Sequence, residues 1–210
     1  MVDTGVLVAF VPAALALNVA PGPDSIYTLK RSISDGRTAG VMAAAGTSTG
    51  SLVHTTAAVL GLSALLKASA LAFTAVKLVG AAYLLYLGVT TFRNRDEFDI
   101  ASDGETQSHA ESFRQAFVIN VSNPKVAVFF LAFLPQFVES SGNAPVQIFT
   151  LGVLFGCLGF CYQAALATFS SRARRVILER AVVRDLLRYA SASVLVGFGV
   201  ELLLEKRVVN

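Results

Sequence analysis

Long apolar stretches separated by shorter polar segments dominate the chain. A helix needs about 20 mostly apolar residues to cross a hydrocarbon layer about 30 Å thick, and several stretches approach that length. We predict six transmembrane helices, at residues 4–29, 38–64, 69–92, 113–138, 146–171 and 187–205. The pattern therefore predicts an all-α polytopic membrane protein with a single transmembrane domain, residues 1–210.

A polar, acidic stretch at residues 93–111 divides these helices into two groups of three and is predicted to be a cytoplasmic loop. Three crossings are an odd number, so the second group enters the membrane from the side opposite to the first. The two half-repeats, residues 1–92 and 112–210, are therefore predicted to be inverted relative to each other, as in many secondary transporters.

The composition agrees with a membrane protein. Of the 210 residues, 54% are hydrophobic and 15% are charged, whereas about a quarter of the residues of a soluble domain are charged. The net charge of +3 does not indicate nucleic acid as a partner, because the basic residues lie between apolar stretches and do not alternate with aromatic ones. We therefore expect the lipid bilayer, and no nucleic acid, as a partner.

Basic residues are distributed unequally between the two sides that six spans define. Twelve lysines and arginines, including Arg31 and Arg188, fall on one side and three on the other. The positive-inside rule makes the crowded side cytoplasmic and places both termini outside. Within residues 172–188, arginines at i, i+4 spacing predict a short amphipathic helix on the inner leaflet.

Predicted helices 1 and 4 are each interrupted by proline at corresponding places. The residues of the first interruption are Asn18, Pro21, Gly22 and Pro23; those of the second are Asn120, Asn123 and Pro124. Proline removes a backbone hydrogen bond and frees the carbonyl four residues earlier. In lipid, such groups are tolerated only where they are buried in protein or line a wet cavity. Paired broken helices in two halves indicate a transporter's binding site.

Three ionisable side chains, Asp24, Lys77 and Lys125, lie inside the predicted spans. Each would cost about 2.5–3.5 kcal/mol at the middle of the bilayer, so we expect each to pair or to face water. One carboxylate neutralises one lysine, and a substrate carboxylate would balance the other. A substrate ammonium group would need acceptors, and the prolines free the carbonyls of Leu17, Val19, Asn120 and Leu131. A zwitterionic amino acid fits this inventory.

Simpler roles are open for the same residues. The alternative for Lys77 is to extend along its helix to the outer surface, and for Asp24 it is to cap the short helix after the break. The asparagines have the alternative role of hydrogen bonding between helices. His54 is interpreted either as a packed histidine or as a proton carrier.

Cysteines and glycines at helical spacing have ordinary explanations. Cys157 and Cys161 lie on one helix face, and two thiols are too few for a metal site. We therefore expect them to be packing residues. Small residues recur at i, i+4 in Gly36/Gly40, Gly46/Gly50 and Gly152/Gly156, which favours close helix packing within one chain. A homodimer contact or a sliding surface is the alternative.

Four motifs, in order along the chain, resemble the lysine exporter/homoserine–threonine exporter (LysE/RhtB) family of amino-acid efflux permeases. They are Pro21-Gly22-Pro23-Asp24, Gly36-Arg37-Thr38-Ala39-Gly40, the segment from Lys77 to Gly88, and Asn123-Pro124-Lys125 running to Pro135-Gln136-Phe137. The resemblance implies a six-helix protein of the prokaryotic cytoplasmic (inner) membrane. It also implies export of amino acids or close derivatives, driven by the proton gradient.

Together these observations predict a secondary active transporter, not an enzyme, with an amino acid and protons as partners and with alternating access. The predicted substrate-binding residues are Lys125, Asn123, Asn120, Pro124, Asn18, Pro21, Gly22 and Pro23. Asp24 and Lys77 are predicted to couple protons or to form a charge pair, and we expect no metal or cofactor. The alternatives are export of another small solute or an inorganic ion, and a membrane thiol redox protein.

Overall fold

The computed structural model describes residues 2–62, 70–93, 106–138, 143–170 and 181–204. All regular structure in these ranges is helical, which confirms the all-α class. The helices are α1 (Thr4–Val19), α2 (Pro23–Ser34), α3 (Arg37–Ala57), α4 (Ala70–Arg93), α5 (His109–Val121), α6 (Pro124–Val128), α7 (Ala144–Thr168) and α8 (Ala181–Leu204).

Two of these helices continue into irregular helical turns. A π-helical segment, Ala58–Leu62, extends α3. Helix α6 is extended by a second π-helical segment, Phe129–Phe133, and then by a 3₁₀ turn, Leu134–Phe137. Pro135 lies in that turn and has no N–H to donate to the preceding turn. Regular α-helical geometry is therefore lost soon after the second predicted interruption.

Two of the described helices are long and apolar enough to cross a membrane alone, Leu71–Arg93 and Ala144–Thr168. Two consecutive pairs pass the same test together: Thr4–Val19 with Pro23–Ser34 is bent by 57°, and His109–Val121 with Pro124–Phe137 by 49°. The described chain therefore contains two to four candidate spans, and the count of six stays a prediction. Helix α3 is not among them because it is rich in glycine, serine and threonine.

Helix α3 is central to the packing. It contacts α2, α5 and α7, while α4 packs along α8 and α1 packs against α7. An aromatic cluster fills the space between α1, α6 and α7. Within it, the rings of Phe129 and Phe155 are stacked with centroids 4.7 Å apart. Helices can pack in this way without a hydrophobic driving force, because close van der Waals contact supplies the attraction.

Glycines on α3 allow neighbouring helices to approach its backbone. Gly46 lies against the backbone carbonyl of Phe113 in α5, and a Cβ at Gly50 would lie 2.7 Å from Asn120 Oδ1. These glycines therefore serve packing inside the chain, as the sequence predicts. Gly36 does not belong with them. It precedes α3 with φ of 90°, a conformation that suits glycine, and none of the residues that the structure describes comes within 4 Å of its added Cβ.

A polar cluster joins the end of α2 to the residues before α5. Arg31 Nη1 lies 2.7 Å from Asp35 Oδ2, and both side chains are 3% exposed. Asp35 also accepts a hydrogen bond from the N–H of Gln107, whose side-chain oxygen accepts one from the Tyr27 hydroxyl at 2.8 Å. Arg31, which the charge count treats as a loop residue, is thus a buried residue of α2.

The basic segment at residues 172–188 also differs from the prediction. Residues 181–204 form one helix, so residues 181–188 are not part of a separate surface helix. Residues 172–180 lie outside the described residues. Arg188 is 4% exposed and pairs with Asp185 at 2.9 Å. Its guanidinium is therefore packed within the protein and is not presented to lipid head groups as predicted.

The loop between the halves ends before residue 111. Helix α5 begins at His109 with Ser108 as its N-cap. The Ser108 hydroxyl accepts from the N–H of Glu111, and the Glu111 carboxylate accepts from the N–H of Ser108. This reciprocal capping satisfies two donors at the helix start. Residues 94–105 of the predicted loop lie outside the described ranges.

Gly46→Ala is expected to destabilise the protein. The new methyl would meet the Phe113 carbonyl, which cannot move without moving α5, and overpacking of this kind costs about 1–3 kcal/mol. Thermal unfolding of the purified protein in detergent, followed by circular dichroism, measures the effect. Gly61→Ala is the matched control because, among the described residues, no neighbouring atom lies within 4 Å of its added Cβ. Equal unfolding temperatures for the two variants would contradict this packing.

Candidate functional site

The two interrupted segments meet, and each one binds a charge carried by the other. Asp24 lies in the first turn of α2, directly after the first interruption. Its Oδ2 accepts hydrogen bonds from the side-chain amides of Asn120 at 3.2 Å and Asn123 at 3.0 Å, both in the second interruption. The carboxylate is 7% exposed. Two amide donors therefore replace the water that this oxygen loses.

Lys125 makes the reverse connection from the first turn of α6. Its Nζ donates to the carbonyls of Ala20 at 2.9 Å and Leu17 at 3.3 Å, in the first interruption. The Leu17 carbonyl is one of those that proline frees, here Pro21. Both acceptors belong to the C-terminal end of α1, where the helix dipole is negative and favours a cation.

Local backbone geometry explains why the charges lie at these helix starts. Extended Gly22 precedes α2, and Pro23 is its first residue. Asn123 precedes α6, Pro124 begins it, and the Asn123 side chain accepts from the N–H of Lys125 at 3.0 Å. Proline suits a first helical position because the N–H there has no helical acceptor. Asp24 is therefore inside the helix and is not its cap.

Gly22 also makes room for the lysine. A Cβ at this buried position would lie 3.0 Å from Lys125 Nζ. The predicted substrate-binding prolines are placed differently, since Pro23 and Pro124 have exposed side chains. Their contribution in this structure is to begin α2 and α6 after the interruptions.

A small cavity lies beside the crossing of the two segments. Its lining combines both charged side chains with amide, hydroxyl and apolar ones. The lining residues are Leu17, Asn18, Asp24, Ser25, Thr47, Ser48, Ser51, Asn120, Lys125, Val126, Phe155, Gly159 and Gln163. Asn18, a predicted site residue, donates to the carbonyl of Ala14 at 2.9 Å.

Lys77 is not brought to this cavity. It lies in α4 and is 8% exposed, so it is buried, but it is not among the residues that line the cavity. The structure thus groups Asp24 with Lys125 and the asparagines, whereas the role of Lys77 stays a prediction.

His54 contacts the second interruption from α3. Its Nε2 lies 3.0 Å from the carbonyl of Asn120, and its ring stacks on Phe130 with centroids 5.8 Å apart. A carbonyl can only accept, so this bond requires the proton on Nε2. The same carbonyl also accepts from the N–H of Asn123 at 2.9 Å. The carbonyl that Pro124 frees is therefore already occupied.

Sequence reasoning missed most of the polar residues that α3 and α7 contribute. Thr47, Ser48 and Ser51 come from α3, where they resemble small packing residues. Gln163 comes from α7 and accepts from the Thr28 hydroxyl at 2.6 Å. A glutamine in an otherwise apolar predicted helix was the available signal for that position.

The cysteines are not packing residues, contrary to the prediction. Cys157 and Cys161 are both exposed on α7, and neither lines the cavity. Both point away from the rest of the chain because the opposite face of α7, with Gly152, Phe155 and Gly159, is buried.

The sequence matches known proteins over most of its length. Residues 15–206 match the family model described as LysE type translocator. The chain is 33% identical over 164 residues to a homoserine/homoserine lactone efflux protein of Salmonella typhimurium, covering 78% of this chain and 80% of that protein. It is 29% identical over 204 residues to a leucine efflux protein of Klebsiella pneumoniae, covering 95% and 96%.

A third relative, a membrane protein of Bacillus subtilis, is 29% identical over 204 residues, with 93% of this chain and 97% of the relative covered. No solved structure matches significantly. The family match covers both interruptions and all eight helices in whole or in part, and it confirms the resemblance seen in the motifs. The chain therefore belongs to the LysE type translocator family, a family of membrane transporters.

Proposed function

We propose that this protein is a secondary active transporter that exports amino acids or close derivatives from the cytoplasm. The observation that carries the proposal is the reciprocal binding of Asp24 and Lys125 at two interrupted helices beside a cavity. Charges of both signs at one cavity suit a zwitterion, and the names of two relatives specify efflux of homoserine or leucine.

The proposed architecture is a six-span bundle of two inverted repeats, with α1–α2 and α5–α6 as its broken spans. Exchange of the halves would relate α3 to α7 and α4 to α8. The observed packing supports this relation, because α3 contacts α7, α4 contacts α8, and the α3–α5 contact has its counterpart in α7–α1. Alternating access would then arise from movement of one repeat against the other.

Lys125 is proposed to bind the substrate carboxylate. In the structure its Nζ is held by two carbonyls, which are neutral dipoles. A carboxylate forms a stronger, charge-assisted hydrogen bond with an ammonium group. Substrate binding would therefore draw the lysine from the C-terminal end of α1, and this would loosen one of the two links between the broken helices.

Asp24 is proposed to exchange the coupling proton. Its Oδ2 is bound by two amides that can also hydrogen bond to a protonated carboxyl group through their oxygens after rotation. Protonation would remove the charge that attracts Asn120 and Asn123. It would therefore change the hydrogen bonds by which Asp24 joins the first interruption to the second. Lys77 is kept as a candidate charge of the transport cycle at a separate place.

The proposed location is the cytoplasmic membrane of a prokaryote, with both termini outside. The support is the excess of basic residues on one side of six spans and the bacterial origin of the relatives. A homodimer is a further proposal for the exposed apolar helix faces. A thiol redox function gains no support, because the two cysteines lie outside the cavity lining.

Efflux from cells loaded with dipeptides tests the proposed function. Cytoplasmic peptidases release amino acids from the dipeptides, and amino acids that leave faster when the protein is present are its substrates. L-Leucine and L-homoserine belong in the panel. If no amino acid or derivative leaves faster, although the protein is present in the membrane, export of amino acids is wrong.

Lys125→Ala is expected to abolish efflux because the substrate carboxylate loses its cation. Membrane protein levels should stay at the wild-type value, as measured by immunoblotting beside the efflux assay. Lys30→Ala, in α2 but outside the cavity lining, is the control and should export normally. Full export by Lys125→Ala would refute the assignment.

Asp24→Asn is expected to uncouple transport from the proton gradient, since the amide is similar in shape but does not titrate. Exchange of labelled substrate in proteoliposomes should then be independent of an imposed pH gradient, whereas wild-type uptake should follow it. Asp3→Asn is the control, because Asp3 caps α1 and asparagine caps equally well. A gradient response that survives in Asp24→Asn would assign the coupling proton elsewhere.

A further inference from the structure

Three buried oxygen atoms beside the cavity lack hydrogen-bond partners among the described residues. They are Asp24 Oδ1, Thr47 Oγ1 and Ser48 Oγ, and all three residues line the cavity. Asp24 is 7% exposed and Thr47 is 4% exposed. A buried polar atom without a partner is costly, so three such atoms at one cavity are available to hydrogen bond to a ligand that enters it.

Neighbouring hydroxyls on α3 show that this is a property of the site and not of the helix. Ser51, Thr55 and Thr49 each donate to the carbonyl four residues earlier, at 3.3, 2.8 and 2.8 Å. This is the usual way in which a hydroxyl in a helix is satisfied. Thr47 and Ser48 make no such bond, although they have the same kind of carbonyl one turn before them.

The acceptors that proline frees do not fill this role. The Leu17 carbonyl accepts from Lys125, and the Asn120 carbonyl accepts from His54 and from the backbone of Asn123. The sequence-based expectation that freed carbonyls receive the substrate ammonium group is therefore not supported for these two. The unpartnered oxygens lie on α2 and α3 instead, and one of them carries charge.

We propose that Asp24 Oδ1, Thr47 Oγ1 and Ser48 Oγ form the subsite for the primary ammonium group of the transported amino acid. A primary ammonium has three N–H donors and no acceptor, which matches three oxygen acceptors of which one is anionic. Each hydroxyl oxygen has two lone pairs and can accept one N–H of the ligand. The inference rests on the proposed function. It adds that the exporter recognises the amino group of its substrate.

This subsite and Lys125 would bind opposite ends of the zwitterion. The substrate carboxylate would lie at Lys125 on α6, and its ammonium group would lie at Thr47 and Ser48 on α3, with Asp24 on α2 near both. Discrimination against a molecule with a hydroxyl in place of the amino group follows, because its single O–H donor would leave at least two of the three oxygens unpartnered. A 2-hydroxy acid keeps the carboxylate and the side chain and is the suitable probe.

Ligand-induced thermal stabilisation of the purified full chain, in sodium-free buffer, tests the subsite. The probes are the proteinogenic L-amino acids and L-homoserine, each beside the 2-hydroxy acid with the same side chain. For wild type we expect at least one amino acid to bind about tenfold or more tightly than its 2-hydroxy acid, because hydrogen bonds to a charged group are lost.

Thr47→Val and Ser48→Ala should each weaken binding of that amino acid about tenfold and leave binding of the 2-hydroxy acid unchanged. The amino acid to hydroxy acid ratio is the decisive measurement, since a general packing defect would weaken both ligands equally. Thr47→Ser keeps the hydroxyl and should keep the ratio. Thr49→Val is the matched control, because Thr49 is exposed and bonds to its own helix.

An unchanged ratio in both Thr47→Val and Ser48→Ala would overturn the subsite while leaving amino-acid export intact. Equal binding of amino acid and 2-hydroxy acid to wild type would do the same. Stabilisation by sodium chloride that Thr47→Val removes, together with an unchanged ratio, would assign the oxygens to a metal cation and also overturn the proposal. If no amino acid stabilises any variant, the proposed function itself fails, and the subsite with it.

Discussion

The structure depends on two charges, the buried Asp24 and the half-buried Lys125, each held by the helix interruption opposite to its own. Asp24 accepts from amides of the second interruption, and Lys125 donates to carbonyls of the first. An isolated charge in a low-dielectric interior is costly unless polar groups replace its water. Because each interruption supplies those groups to the other, neither can move far alone.

Helix dipoles make the arrangement unequal. Asp24 lies in the first turn of α2, where the dipole favours an anion, but Lys125 lies in the first turn of α6, where it disfavours a cation. Lys125 therefore depends more on its partners, the carbonyls at the end of α1. An anionic group that enters the cavity competes directly with those carbonyls, so the proposed carboxylate site is also the weaker of the two links. Binding and rearrangement would thus be connected through one side chain.

Small residues on α3 determine how the two links are brought together. Gly46 and Gly50 let α5 approach α3 closely. The side chain of Asn120 in α5 then donates to Asp24, and its backbone carbonyl accepts from His54. Thr47 and Ser48, also on α3, line the cavity. The low hydropathy of α3 excludes it from the candidate spans. It is compatible with the position of α3, which packs between other helices.

The sequence by itself determined the helical class, the two interruptions and the charges that follow them, because proline chemistry and the cost of a buried charge act locally. Family membership also followed from motifs along the chain, and the match over residues 15–206 confirms it. Only the tertiary structure decided the partner of each charge, since Asp24 and Lys125 bond to residues 96 to 108 positions away. It also left Lys77 out of the cavity lining, buried Arg31 and Arg188, and left the hydroxyls of Thr47 and Ser48 without partners among the described residues. Those outcomes depend on which helix faces meet, and composition and spacing along a single chain do not fix that.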